Sequence, residues 1–146
     1  MKETIKKLGL TQGFKEMIAL SKKIPKSGEI PPDNALVLHV LFWQIKTKLS
    51  DMVTKAERHE LNAKQKRDNI DVDIQSECEE KSEAAKQRVS KADKRWRKLQ
   101  DDRLEAKVLV QYLKMKRDDF DQAVYVMRTI LTYGKKDQES MPEQEI

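Results

Sequence analysis

No glycine and no proline occurs between residues 35 and 133. The four glycines are Gly9, Gly13, Gly28 and Gly134, and the four prolines are Pro25, Pro31, Pro32 and Pro142. A body without either residue excludes a glycine-rich phosphate loop and favours long helices. Aromatics make up only 5% of the 146 residues while 38% are charged, which does not fit a thick globular core. One cysteine, Cys78, excludes an internal disulfide framework and fits a reducing compartment. No apolar run reaches membrane-spanning length: the nearest, ALVLHVLFWQI, is too short and carries His39. The N-terminal segment also lacks the apolar core of a signal peptide. The expectation is a cytoplasmic protein with no membrane partner.

Catalytic signatures are equally scarce. The two histidines, His39 and His59, stand twenty residues apart on one expected helix, with no HExxH spacing and no nearby cysteine. Carboxylates alternate with Lys and Arg as on solvated helix faces. The reading is a non-enzyme with no catalytic residues, no metal and no cofactor.

What is present is charge in blocks. The formal net charge is +5 with a pI near 9.2. Residues 1–26 carry seven lysines against two glutamates, and residues 81–107 carry ten Lys/Arg against five acids. Between them, DVDIQSECEE (71–80) holds five acids and no base, and the tail from Asp137 is wholly acidic. An excess of positive charge favours an anionic partner.

Apolar periodicity supplies the architecture. Thr11 to Ile24 reads as a short amphipathic helix with Phe14, Met17, Ile18 and Leu20 on its apolar side. IPKSGEIPPD reads as a linker ending in a helix start, with Asp33 as N-cap. From there Leu38, Phe42, Ile45, Leu49, Met52, Ala56, His59 and Ala63 advance in steps of four and three, the spacing of a coiled-coil seam. That beat fades at KQKRDNIDVD. Ser76 then opens an S-x-x-E capping box with Glu79. A longer helix carries the same beat through Ala85, Val89, Ala92, Trp96, Leu99, Arg103, Ala106, Val110, Leu113, Arg117, Phe120, Val124, Met127 and Leu131, and Gly134 is the expected stop. Trp96 sits among cations in KADKRWRKLQ; its place on the seam predicts an inward ring, against the alternative of base stacking.

The fold class expected is all-α: an unequal antiparallel hairpin of coiled-coil-like helices plus a short N-terminal helix. The organisation is 1–32 for the N-terminal helix and linker, 33–134 for the body and 135–146 for an acidic disordered tail. A turn centred near Val72 gives arms of roughly 50 and 85 Å. It sets Phe42 opposite about residue 102, leaving the far half of the last helix without a mate. A second apolar stripe there (Val108, Tyr112, Met115, Ala123, Val126, Ile130) calls for further neighbours. Homo-oligomerisation through Val110, Leu113, Phe120, Val124, Met127 and Leu131 follows. The same hairpin brings Lys64, Lys66 and Arg67 to the end that holds Lys81, Lys86, Arg88, Lys91, Lys94, Arg95 and Lys98. Oligomerisation would multiply that basic patch into avid phosphate binding.

Residues 81–130, KSEAAKQRVSKADKRWRKLQDDRLEAKVLVQYLKMKRDDFDQAVYVMRTI, resemble the C-terminal half of the UvsY-like phage recombination mediators. The KSE opening and the S-x-A-D-K at Ser90 to Lys94 carry the likeness, which extends over roughly residues 35–130. NAKQKRD (62–68) is similar to the family's basic K-x-R-x-D segment: Lys64 and Asp68 match in kind, and Lys66 stands where arginine is usual. The resemblance implies a helical ring-like oligomer, of an infected host's cytoplasm, that binds single-stranded DNA. It also implies help to a RecA-like recombinase in displacing a single-strand-binding protein. Phosphates would be held by Lys64, Lys66, Arg67, Lys86, Lys91, Lys94, Arg95 and Lys98. The rival classes are a structural helical adaptor or scaffold, such as a virion component without nucleic-acid binding, and a regulator whose acidic turn or tail imitates DNA.

Overall fold

The computed structural model describes residues 1–25, 32–79 and 82–140, with side chains placed at 1–25, 34–79 and 82–133. The linker residues 26–31, residues 80 and 81 and the tail residues 141–146 lie outside them, as does the side chain of the expected cap Asp33, whose backbone is within α3. The described chain is all-helical: α1 Lys2–Lys7, α2 Thr11–Ser21, α3 Pro32–Glu77, α4 Glu83–Ala92 and α5 Lys94–Ser140. It forms two compact units, one of residues 1–8 and 53–113, the other of residues 9–52 with the residues from Lys114 onward. In each unit a segment of α3 packs along a segment of α5.

The N-terminal segment holds two helices where one was expected. Gly9 separates them at φ +69°, a left-handed conformation in which a side chain would be strained. In the second unit α2 lies against α3 at Gly13, where a Cβ would come within 2.6 Å of the Met52 sulfur. Met17 is fully buried beside it, and Lys48 pairs with Glu16 at 2.6 Å.

The seam of α3 is as expected from Phe42 through Ile45, Leu49, Met52, Ala56 and Ala63, all buried. It then continues where the sequence pattern fades: half-buried Arg67 and Ile70 carry the beat to buried Ile74. The helix therefore runs to Glu77, and the acidic stretch 71–77 is helix rather than turn. The turn falls between Glu77 and Glu83. Ser76 caps nothing; its hydroxyl donates to the Asp73 carbonyl at 2.7 Å. The cap is Ser82, whose Oγ accepts from the Ala85 N–H at 3.0 Å.

Moving the turn lengthens the first arm. α3 has 46 residues, whereas the arm after the turn holds α4 with 10 and α5 with 47, so the second arm stays the longer one, by less than expected. In the second unit Phe42 meets Phe120, not residue 102, with ring centroids 5.7 Å apart. Lys46 pairs with Asp121 one turn away. Two further expectations change. The last helix is interrupted at Asp93, whose ψ of 134° is extended. At its far end α5 passes through Gly134 to Ser140, so residues 135–140 are helical rather than a disordered tail. A glycine inside a helix costs about 1 kcal/mol, which does not stop a helix of this length.

Candidate nucleic-acid interface

Near the turn, the first unit is built from polar residues placed by the helix ends. Asp93 ends α4 and starts α5: its carboxylate accepts from the Arg95 N–H at 2.8 Å, as an N-cap does. The Arg95 guanidinium folds back on Asp93 and reaches Glu77 of α3, both at 3.1 Å. The Arg95 hydrogen bonds hold the Asp93 carboxyl below its ordinary value, and those to Asp93 and Glu77 raise that of Arg95. Fully buried Ser90 donates to Asp71, which also accepts from Gln75 at 3.2 Å. Arg67 donates to Gln100 at 2.7 Å and to Asp68 at 2.8 Å. These contacts fix residue 67 level with residue 100.

The break at Asp93 resets the phase of the seam. Before it Ser90 is buried, while Val89 and Ala92, the expected seam residues, are exposed. After it Trp96 and Leu99 are half-buried. Trp96 thus keeps the register that leads on to buried Ala106, Val110 and Leu113, half-buried rather than enclosed. It lines a cleft of about 430 Å³ with Arg67, Asp68, Asp71, Gln75, Gln87, Lys91 and Gln100. Of these partners, Asp71, Gln75, Gln87 and Gln100 escaped the sequence reading. The signal that finds them is the turn position, which sets 67 against 100.

The eight candidate phosphate ligands do not share one face. Arg67 and Lys91 line the Trp96 cleft. Lys66 lines a different cleft of about 730 Å³ with His59, Asn62, Asp102 and Glu105. Lys64, Lys94, Arg95 and Lys98 are exposed, and Lys86 is half-buried. Among the described residues Lys64, Lys66, Lys86, Lys91, Lys94 and Lys98 form no ion pair, whereas Arg67 and Arg95 are paired with carboxylates. From Ser82 to Gln100 seven Lys/Arg stand against two acids.

The residues expected between subunits lie inside the chain. Val110, Leu113, Phe120, Val124 and Met127 are buried by its own helices, and Leu131 is half-buried. Apolar surface is left open in both units: Leu61, Val72, Leu104 and Val108 are exposed in the first. In the second, Leu36, Val37, Val40 and Trp43 on α3 are exposed and Trp43 lines a cleft with Tyr125. Of the expected second stripe Val108, Met115 and Val126 are exposed, Tyr112 and Ile130 half-buried and Ala123 buried.

Among the described residues no group of His, Cys, Asp or Glu could hold a metal ion, and no helix is long and apolar enough to cross a membrane. No family model matches the chain, and neither a curated protein nor a solved structure matches it significantly.

Proposed function

We propose that the protein binds single-stranded DNA without sequence preference and acts as a recombination mediator. What supports the reading is the run from Ser82 to Gln100, where seven cations stand against two acids and, among the described residues, its four lysines have no carboxylate partner. Lysines free of partners can neutralise phosphates at no cost in broken ion pairs, and counterion release then drives binding. The resemblance to UvsY-like mediators extends the reading to a RecA-like recombinase and a single-strand-binding protein as partners. Self-association into a ring-like homo-oligomer belongs to the same reading. Its contact is not the Phe120 seam, and the exposed strip Leu36, Val37, Val40 and Trp43 is the surface a second copy would cover.

That strip also favours a second reading, a helical scaffold that binds no nucleic acid. Mobility shifts with single-stranded oligonucleotides across a salt series separate the two. The mediator binds with a steep salt slope. Alanine at Lys94 and Lys98 lowers that slope by about 0.7 for each phosphate no longer neutralised. Absence of binding at low salt leaves the scaffold.

A further inference from the structure

The cleft beside Trp96 is chemically unlike the rest of the molecule. It sets one aromatic ring among three glutamines, an arginine, a lysine and two aspartates, Asp68 held by Arg67 and Asp71 by Ser90 and Gln75, in a chain where 5% of residues are aromatic. Its volume of about 430 Å³ falls within the range of small-ligand sites, about 300–1,000 Å³. An indole packed for stability is normally surrounded by apolar groups. Here its cleft neighbours are polar, and among the described residues its N–H makes no hydrogen bond.

The amides are poised in complementary ways. Gln100 accepts from Arg67 through its oxygen, which leaves its NH₂ as a donor. Gln75 donates to Asp71 through its nitrogen, which leaves its oxygen as an acceptor. Gln87, on the exposed side of α4, keeps both. One donor, one acceptor and one rotatable amide around a ring match the polar edge and the face of any base. Lys91 lies on the same cleft without an ion pair among the described residues, at hand for the attached phosphate.

We propose that the Trp96 cleft takes up one nucleobase of the bound strand, stacked on the indole, with Gln75, Gln87 and Gln100 meeting its edge and Lys91 its phosphate. This rests on the single-stranded DNA reading and adds a base-binding site to what was charge alone. Because the amides offer donors and acceptors together, the site does not select a base.

The test uses Trp43→Phe, which leaves Trp96 as the sole tryptophan, titrated with an oligothymidylate and with an abasic oligonucleotide of equal length. Thymidylate quenches Trp96 emission and the abasic strand does not. The abasic strand binds roughly 5- to 100-fold more weakly, the range of one stacking contact. In the otherwise native chain Trp96→Leu brings thymidylate affinity down to the abasic level with an unchanged salt slope. Gln87→Ala, at an exposed position, weakens thymidylate binding several-fold with an unchanged melting temperature. It decides the matter should the leucine variant fold poorly. If thymidylate binds with no change in Trp96 emission and Gln87→Ala is neutral, the base site is wrong and the DNA reading stands. If neither strand binds at low salt, both fall.

Discussion

The two units share one seam and fill it differently. In the second unit the buried positions hold Phe42, Ile45, Leu49, Met52, Phe120, Val124 and Met127, with Met17 of α2 closing one side. In the first unit the same four-three beat runs through Ala56, Ala63, half-buried Arg67 and Ile74, and is met by Ser90, Ala106, Leu109, Val110 and Leu113. Large side chains bury more apolar area per turn and set stability. Small and polar ones tie the helices through side-chain hydrogen bonds, Arg67 to Gln100 and Ser90 to Asp71, and leave a cleft beside them. The unit with less core is the one that carries the cations and the Trp96 cleft. Apolar area has been concentrated away from the surface where polar chemistry is needed.

Truncation should show the contrast most strongly. Phe120→Ala is expected to cost about 3–5 kcal/mol, since it leaves a cavity beside Phe42. Chemical denaturation measures this, and a cost below 1 kcal/mol would mean that the second unit is not held by its aromatic pair.

The corresponding break in the first unit is polar and smaller. Asp71→Ala leaves the buried Ser90 hydroxyl without its acceptor, at about 1–3 kcal/mol. Removing both partners (Asp71→Ala with Ser90→Ala) should cost less than the sum of the single changes. A double-mutant cycle that proves additive would show that the contact contributes nothing.

Acid comes next and touches both units. Hydrogen bonding from Lys48 holds Glu16 below its ordinary 4.5, and that from Arg95 holds Asp93 below its ordinary 3.8. A carboxyl whose folded value is lowered stabilises the fold above its unfolded value, and that contribution disappears as pH falls through the folded value. Melting temperature should therefore drop as pH is lowered from about 5. Asp93→Asn should flatten part of that drop while retaining a side chain able to cap α5. An Asn variant with the native pH profile would deny Asp93 its part.

The smallest effect belongs to Gly13→Ala. The new Cβ meets only the Met52 sulfur and its methyl end, which can move, and alanine favours the helix by about 1 kcal/mol. The net change should stay within about 0.5 kcal/mol. A larger loss in thermal melts would mean that Met52 cannot yield.

Much of the second unit is legible in the sequence because its seam is made of large apolar residues. Phe42, Leu49, Phe120 and Met127 are buried as their spacing requires. The first unit is harder to read because local and tertiary rules conflict there. An acidic run at a helix C-terminus opposes the helix dipole, and Ser76 with Glu79 has the form of a capping box. Both point to a turn near residue 72. Burial of Ile74 and the hydrogen bond between Ser90 and Asp71 outweigh them and carry α3 to Glu77. Once the turn is misplaced, residue 67 no longer faces residue 100, so the glutamines of the Trp96 cleft stay scattered along the chain. The candidate lysines other than half-buried Lys86 needed no such pairing: they read as exposed from pattern alone.

The extended residue at Asp93 has a further consequence, for the order in which the molecule comes apart. It cuts α4 off from the hydrogen-bond ladder of α5, leaving ten residues with one buried side chain, Ser90. A helix of that length has little stability of its own in water. Once the Ser90–Asp71 tie opens, only half-buried Ala85 and Lys86 hold α4 in place, and it becomes a small cooperative unit that opens below the free energy of global unfolding. Its amides should exchange with deuterium ahead of those of α5 beyond Ala106. Each opening removes one wall of the Trp96 cleft, so the turn end breathes while the aromatic end stays closed.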